Sequence, residues 1–123
     1  MSKRYTKDHE WVRLDGDVAT IGISQYATEQ LGDVVYVELP AKDKDFAAGA
    51  DMAVVESAKA ASDVYAPIAG KVVAVNDALS SQPDLVNGSP EGEGWFVKIQ
   101  IANKAEVDAL MDESAYADFV KGL

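Results

Sequence analysis

Up to about residue 101 the chain reads as short apolar runs separated by turn residues, and its sharpest signal is Asp15-Gly16. Trp11-Val12-Arg13-Leu14 and Val18-Ala19-Thr20-Ile21-Gly22-Ile23 flank that pair. An Asp-Gly step between two such runs predicts a tight hairpin, because glycine accepts the positive φ that the turn requires. Val34 to Leu39, closed by Pro40, and Lys71 to Val75 read as further strands. Trp95, Val97, Ile99 and Ile101 alternate with Phe96, Lys98 and Gln100, the period of a half-buried strand.

Helical signals are few. Ser24 reads as an N-cap, Gln25 to Leu31 as a short helix and Gly32 as its stop. Lys42 to Gly49 reads as a polar loop, and Asn76 to Gly94 as a long loop with one helical turn near residues 84–87. In the tail, Val107, Leu110, Met111, Phe119 and Val120 sit at helical spacing, which predicts one helix or two short ones packing an apolar stripe on the sheet. The strand-turn-strand units around residues 34–55 and 64–101 could be two halves of one layered fold. With 123 residues, 48% of them hydrophobic, the chain can bury one core, so residues 1–123 are read as a single domain.

Residues 51–65 admit two readings. Met52 to Ala61 is rich in helix formers. The alternative is a strand over Met52–Val55, a turn around Ser57–Ala61 and a strand over Asp63–Tyr65. The residues alone leave both open.

Composition removes many functions. The absence of cysteine excludes disulfides, thiolate metal sites and cysteine nucleophiles. His9 is the only histidine, so a site built on several imidazoles is impossible. A net charge of -10 argues against nucleic acid and anionic membranes as partners, and suits steering toward basic docking surfaces. No apolar run approaches the ~20 residues of a membrane span. The first residues, Met-Ser-Lys-Arg-Tyr-Thr-Lys, show no signal peptide, and the cytoplasm is the default expectation.

Ser57 with Lys59 is a weak nucleophile–base pair, since no oxyanion-hole loop is evident. His9-Glu10 could form an acid–base pair, but a lone histidine beside a tryptophan is more often structural or exposed. Gly88 to Gly94 lacks a phosphate-loop lysine. Lys59 itself lies in Glu56-Ser57-Ala58-Lys59-Ala60-Ala61-Ser62-Asp63. On a hairpin it would be near the tip, between small neighbours, where an enzyme could acylate its amine. Spacing alone does not separate it from an ordinary solvated lysine.

The stretch from Glu56 to Pro67, followed by Gly70-Lys71-Val72-Val73, resembles the lipoyl-attachment hairpin of glycine cleavage H proteins. His9-Glu10-Trp11-Val12, Ala19 to Ser24, Leu31 to Val37, Leu39-Pro40, Pro83 to Asn87 and Gly92-Glu93-Gly94-Trp95 are similar to further blocks of that family, in its order. Ala58 stands where many relatives have Val, and Ala66 and Ala69 where Ser is frequent; none of these removes a group the chemistry needs.

The resemblance implies a mainly β barrel-sandwich hybrid: two small antiparallel sheets, short peripheral helices and a C-terminal helical segment. It implies the hairpin reading of residues 51–65, with lipoate attached covalently to Lys59. Glu56 and Gly70 would help a lipoate ligase or lipoyltransferase recognise the hairpin, and Glu10 would meet the loaded arm in a cleft that Gln30 and Leu31 line as well. The implied role is a monomeric, non-catalytic shuttle among glycine decarboxylase, a tetrahydrofolate-dependent aminomethyltransferase and dihydrolipoamide dehydrogenase.

Three other readings compete. A lipoyl or biotinyl domain of another multienzyme complex is shorter, and a biotinyl domain normally flanks its lysine with methionines rather than Ala58 and Ala60. The others are an enzyme using His9 and a nearby carboxylate, and a purely structural interaction module.

Overall fold

The structure, a computed structural model, describes residues 3–123. Ten strands and five helices follow one another as β1 (Lys3–Tyr5), β2 (Glu10–Asp15), β3 (Val18–Ile23), α1 (Gln25–Leu31), β4 (Val34–Glu38), β5 (Asp45–Phe46), β6 (Asp51–Ser57), β7 (Ala61–Tyr65), β8 (Gly70–Val75), α2 (Ala78–Ser81), α3 (Leu85–Gly88), β9 (Val97–Ile101), α4 (Lys104–Asp108), β10 (Met111–Asp112) and α5 (Glu113–Lys121).

The strands form two antiparallel sheets of unequal size. Seven lie in the order β10-β1-β2-β3-β9-β8-β5, and three in the order β4-β6-β7. The Asp-Gly hairpin is the β2–β3 junction, with Asp15 opposite Val18. Residues 51–65 are strand-turn-strand, with Glu56 opposite Ala61. Helix propensity loses here because Met52, Val55 and Val64 are buried between the sheets, and packing outweighs local preferences of a few tenths of a kcal/mol per residue.

Alternation along β2 explains how the large sheet is covered. Neighbouring residues on a strand point to opposite faces. Val12 enters the main core with Ile21, Ile99, Val55 and Val64, whereas Trp11 enters a second cluster with Tyr5 and Tyr116. Phe119 and Val120 pack on that second cluster, so α5 covers the face that the main core leaves bare. The tail thus carries the expected apolar stripe, on two helices rather than one.

Four features differ from the sequence reading. Lys3–Tyr5 and Met111–Asp112 are strands, too short to show a period; they pair with each other, and Lys3–Tyr5 also pairs with β2. Asp45–Phe46 in the polar loop pairs with the edge of β8. The loop after β8 holds two helical turns, not one. The units around residues 34–55 and 64–101 also do not separate cleanly into halves, because β5 joins the large sheet and β7 the small one.

Candidate functional site

Lys59 is exposed at the tip of the β6–β7 hairpin. The tip is tightly tied. The Ser57 backbone N–H donates to the Ala60 carbonyl at 2.7 Å. The Ser57 hydroxyl accepts from the backbone N–H groups of Lys59 (3.2 Å) and Ala60 (3.1 Å) and donates to the Ala60 carbonyl (3.2 Å). That hydroxyl is committed to the turn, which agrees with setting aside Ser57 and Lys59 as a nucleophile–base pair. A small side chain that can both accept and donate is what so short a turn requires.

The tip is also braced from outside. The Ala58 N–H donates to the Asp33 carbonyl at 3.2 Å, which holds the hairpin against the loop between α1 and β4. Asn87 on α3 fixes that loop from the other side: its Oδ1 accepts from Val34 N–H and its Nδ2 donates to the Gly32 carbonyl, both at 2.8 Å. Gly32 ends α1 at φ 81° and ψ -154°, a conformation essentially reserved for glycine. A Cβ there would stand 3.1 Å from Lys59 Cε, so the lysine stem lies against the end of α1.

A cleft of about 260 Å³ has three walls. Asp8, His9 and Glu10 form the first; Tyr26, Ala27, Gln30 and Leu31 of α1 form the second; Val55, Ser62, Asp63 and Val64 of the hairpin form the third. The hairpin that carries Lys59 is therefore itself part of the cleft.

Glu10 is 2% exposed. Its Oε2 accepts from the Tyr65 backbone N–H at 3.0 Å and its Oε1 from the Thr6 hydroxyl at 2.9 Å. Burial raises the carboxyl to about 7, against the opposing pull of the hydrogen bonds from Tyr65 and Thr6. Desolvation outweighs them because the cleft offers no fixed positive charge. His9 adopts φ 69° and lies against Tyr26, with ring centroids 4.7 Å apart. Burial lowers its basicity, partly offset by Asp8. Among the described residues no group of three or more histidine, aspartate or glutamate side chains could hold a metal ion.

The structure brings together Lys59, Glu10, Gln30 and Leu31 around one hairpin and cleft. Glu56 lies near the same hairpin, half-buried on β6 opposite Tyr36 and Ala61. Gly70 is in the other sheet and does not line the cleft. It pairs with Ile101, and a Cβ there would collide with Ile99 Cγ2 and the Gln100 carbonyl oxygen, so close approach of β8 to β9 requires glycine. Sequence reasoning gave no role to Asn87, Tyr26, Asp63 or Tyr116. Asn87 stood inside a recognised block, but its two partners come from a loop more than fifty positions away.

No helix is long and apolar enough to cross a membrane among the described residues. The family model described as glycine cleavage H-protein matches residues 3–122. The glycine cleavage system H protein of Phenylobacterium zucineum (strain HLK1) is 62% identical over 117 residues, covering 95% of this chain and 97% of that protein. That of Thermotoga maritima is 52% identical over 117 residues, covering 95% and 94%. A crystal structure of a glycine cleavage system H protein from Mycobacterium marinum superposes with a TM-score of 0.89 at 37% identity, covering 99% of this chain and 98% of that one. A sequence match running through both sheets, and a solved fold that coincides over the whole length, leave one conclusion: this chain belongs to the glycine cleavage H-protein family.

Proposed function

We propose that this chain is the lipoyl-carrying shuttle of a glycine cleavage system. It passes the aminomethyl group of glycine from the pyridoxal-phosphate decarboxylase to the tetrahydrofolate-dependent aminomethyltransferase, and catalyses no step itself. Dihydrolipoamide dehydrogenase and a lipoate ligase or lipoyltransferase complete its partners, and it acts as a cytoplasmic monomer. The observation that carries this reading is an exposed lysine at the tip of a braced hairpin that also walls a cleft with a buried carboxylate.

The residues fit a covalent lipoyl group. Lys59 is flanked by Ala58 and Ala60, so its amine is open to an acylating enzyme. Ser57, Asp33 and Asn87 hold the tip rigid, which fixes the root of the arm and leaves flexibility to the stem. When attached, lipoate supplies the disulfide and dithiol chemistry that the protein lacks, having no cysteine. Glu10 presents a buried carboxylate to a cationic cargo, and Gln30 and Leu31 flank the approach. Glu56 serves recognition by the lipoylating enzyme. Gly70 serves it indirectly, by allowing the close β8–β9 contact. A tethered arm raises the local concentration of cargo at each partner, and the surplus of negative charge suits fast, weak docking on basic surfaces.

Lys59→Arg keeps the positive charge but cannot form the amide. In a glycine–bicarbonate exchange assay with the partner enzymes, the variant should fall to background. Full activity would overturn the carrier reading.

A further inference from the structure

The hydroxyl of Tyr116 lies outside the cleft, on α5, yet it contacts His9 in the cleft's first wall and the cap of α1, the helix that forms the second. It is 2.8 Å from His9 Nδ1 and 2.7 Å from Ser24 Oγ. Ser24 is the N-cap of α1, accepting from Ala27 N–H at 3.2 Å, and its own N–H donates to the His9 carbonyl at 2.8 Å. His9 holds a left-handed φ of 69°, which a non-glycine residue keeps only when its surroundings enforce it. Tyr116, Phe119 and Tyr26 surround its ring.

Proton counting gives this cluster a direction. Tyr116 has one hydroxyl proton, and Ser24 is 1% exposed. If Ser24 donates to Tyr116 and Tyr116 donates to His9 Nδ1, every group is satisfied, and the imidazole is neutral with its proton on Nε2. With Nδ1–H donating, three protons meet two contacts, and either the Ser24 or the Tyr116 hydroxyl proton is left with no acceptor among the described residues. An unsatisfied buried donor is costly, so the first direction prevails.

The charge of the cleft depends on that choice. Its lining includes Asp8, Glu10 and Asp63, and His9 is the only lining residue able to become a cation. Tyr26 from α1 and Tyr116 from α5 face the same imidazole. A neutral His9 adds no positive charge beside these carboxyl groups, as a cationic guest requires, whereas a protonated His9 would compete with that guest for them.

We propose that Tyr116 is a positioning residue for the cleft. Its hydroxyl locks the His9 turn to the α1 N-cap and keeps His9 uncharged, so that the cleft accepts an arm bearing an ammonium group. This rests on the reading that the cleft shelters the loaded arm.

His9 is the only histidine in the chain, so nitrogen NMR of full-length lipoylated protein reads it without ambiguity. The wild type should show the Nε2–H tautomer and titrate below the ordinary histidine range. Tyr116→Phe should show mixed tautomers and a midpoint moved up by roughly half a unit. At pH 7.5, above both His9 midpoints and with Glu10 mostly ionised, its loaded form should release ammonia by hydrolysis up to about threefold faster, the limit set by that half unit. A variant that melts earlier but keeps the wild-type tautomer and titration overturns the proposal, since α5 is then only packing. Glu10→Gln separates the two readings. If it leaves release unchanged, the sheltering reading itself fails. If it accelerates release while Tyr116→Phe releases at the wild-type rate, only the role of Tyr116 fails.

Discussion

The Glu10 carboxylate accepts a hydrogen bond from the backbone N–H of Tyr65 at 3.0 Å, joining β2 of the large sheet to the end of β7 in the small one. The contact spans 55 positions and anchors the return strand of the lysine-bearing hairpin. One buried carboxylate thus serves both the fold and the cleft.

That dual position makes stability depend on pH in an uncommon sense. The folded carboxyl sits at about 7, raised by burial from 4.5. Between those values the folded chain binds a proton that the unfolded chain has released. The Glu10 contribution is therefore fully present below about pH 4.5 and is lost as pH rises through about 7, up to about 3 kcal/mol as an upper bound. Glu10→Gln keeps an acceptor for Tyr65 and removes the titration. Urea denaturation should find the variant more stable than wild type at pH 8, with the gap closing near pH 5. A constant gap would contradict the assignment.

Gly32→Ala places a side chain at φ 81° against the Lys59 stem. Backbone strain of this kind costs about 1–3 kcal/mol. Thermal denaturation should show that loss, whereas Gly88→Ala, where a Cβ meets nothing within 4 Å, should not.

Much of this was legible in the sequence. Asp15-Gly16, the Ser24 cap, the Gly32 stop and the alternation up to Ile101 each produced the expected local structure, because each is a short-range signal. Residues 51–65 were undecidable locally: the same alanines, lysine and glutamate serve a helix or a hairpin, and burial of Val55 and Val64 between sheets decides. The cleft was only partly visible. Glu10 stood out through resemblance, but Asp63 and Tyr26 join it solely through the packing of α1 and the hairpin. Tyr116 was invisible because its partners, His9 and Ser24, lie about ninety or more positions earlier.

Asn87 bridges Val34 N–H and the Gly32 carbonyl. Asn87→Ala removes both bonds and should cost about 1–3 kcal/mol. Asn87→Asp retains the acceptor but sets a carboxylate oxygen against the Gly32 carbonyl, so it should also destabilise. Chemical denaturation of both variants checks this. A neutral Asn87→Asp would show that the bond to Gly32 contributes nothing.

Ser57→Ala removes the acceptor for Lys59 and Ala60 N–H. Hydrogen exchange at those two amides should accelerate several-fold while core amides such as Val64 are little changed, since loss of one turn contact opens the tip locally. Slower lipoylation of the variant should accompany it. Unchanged exchange at both amides would show that the turn holds without the hydroxyl.

Under the proposed function, Lys59 bears the cargo arm. Co-expression with a lipoylating enzyme, followed by intact-mass analysis and peptide mapping, should find one added lipoyl group, located on Lys59 and absent from Lys59→Arg. Modification at another lysine, or none under conditions that lipoylate other carriers, would contradict the account.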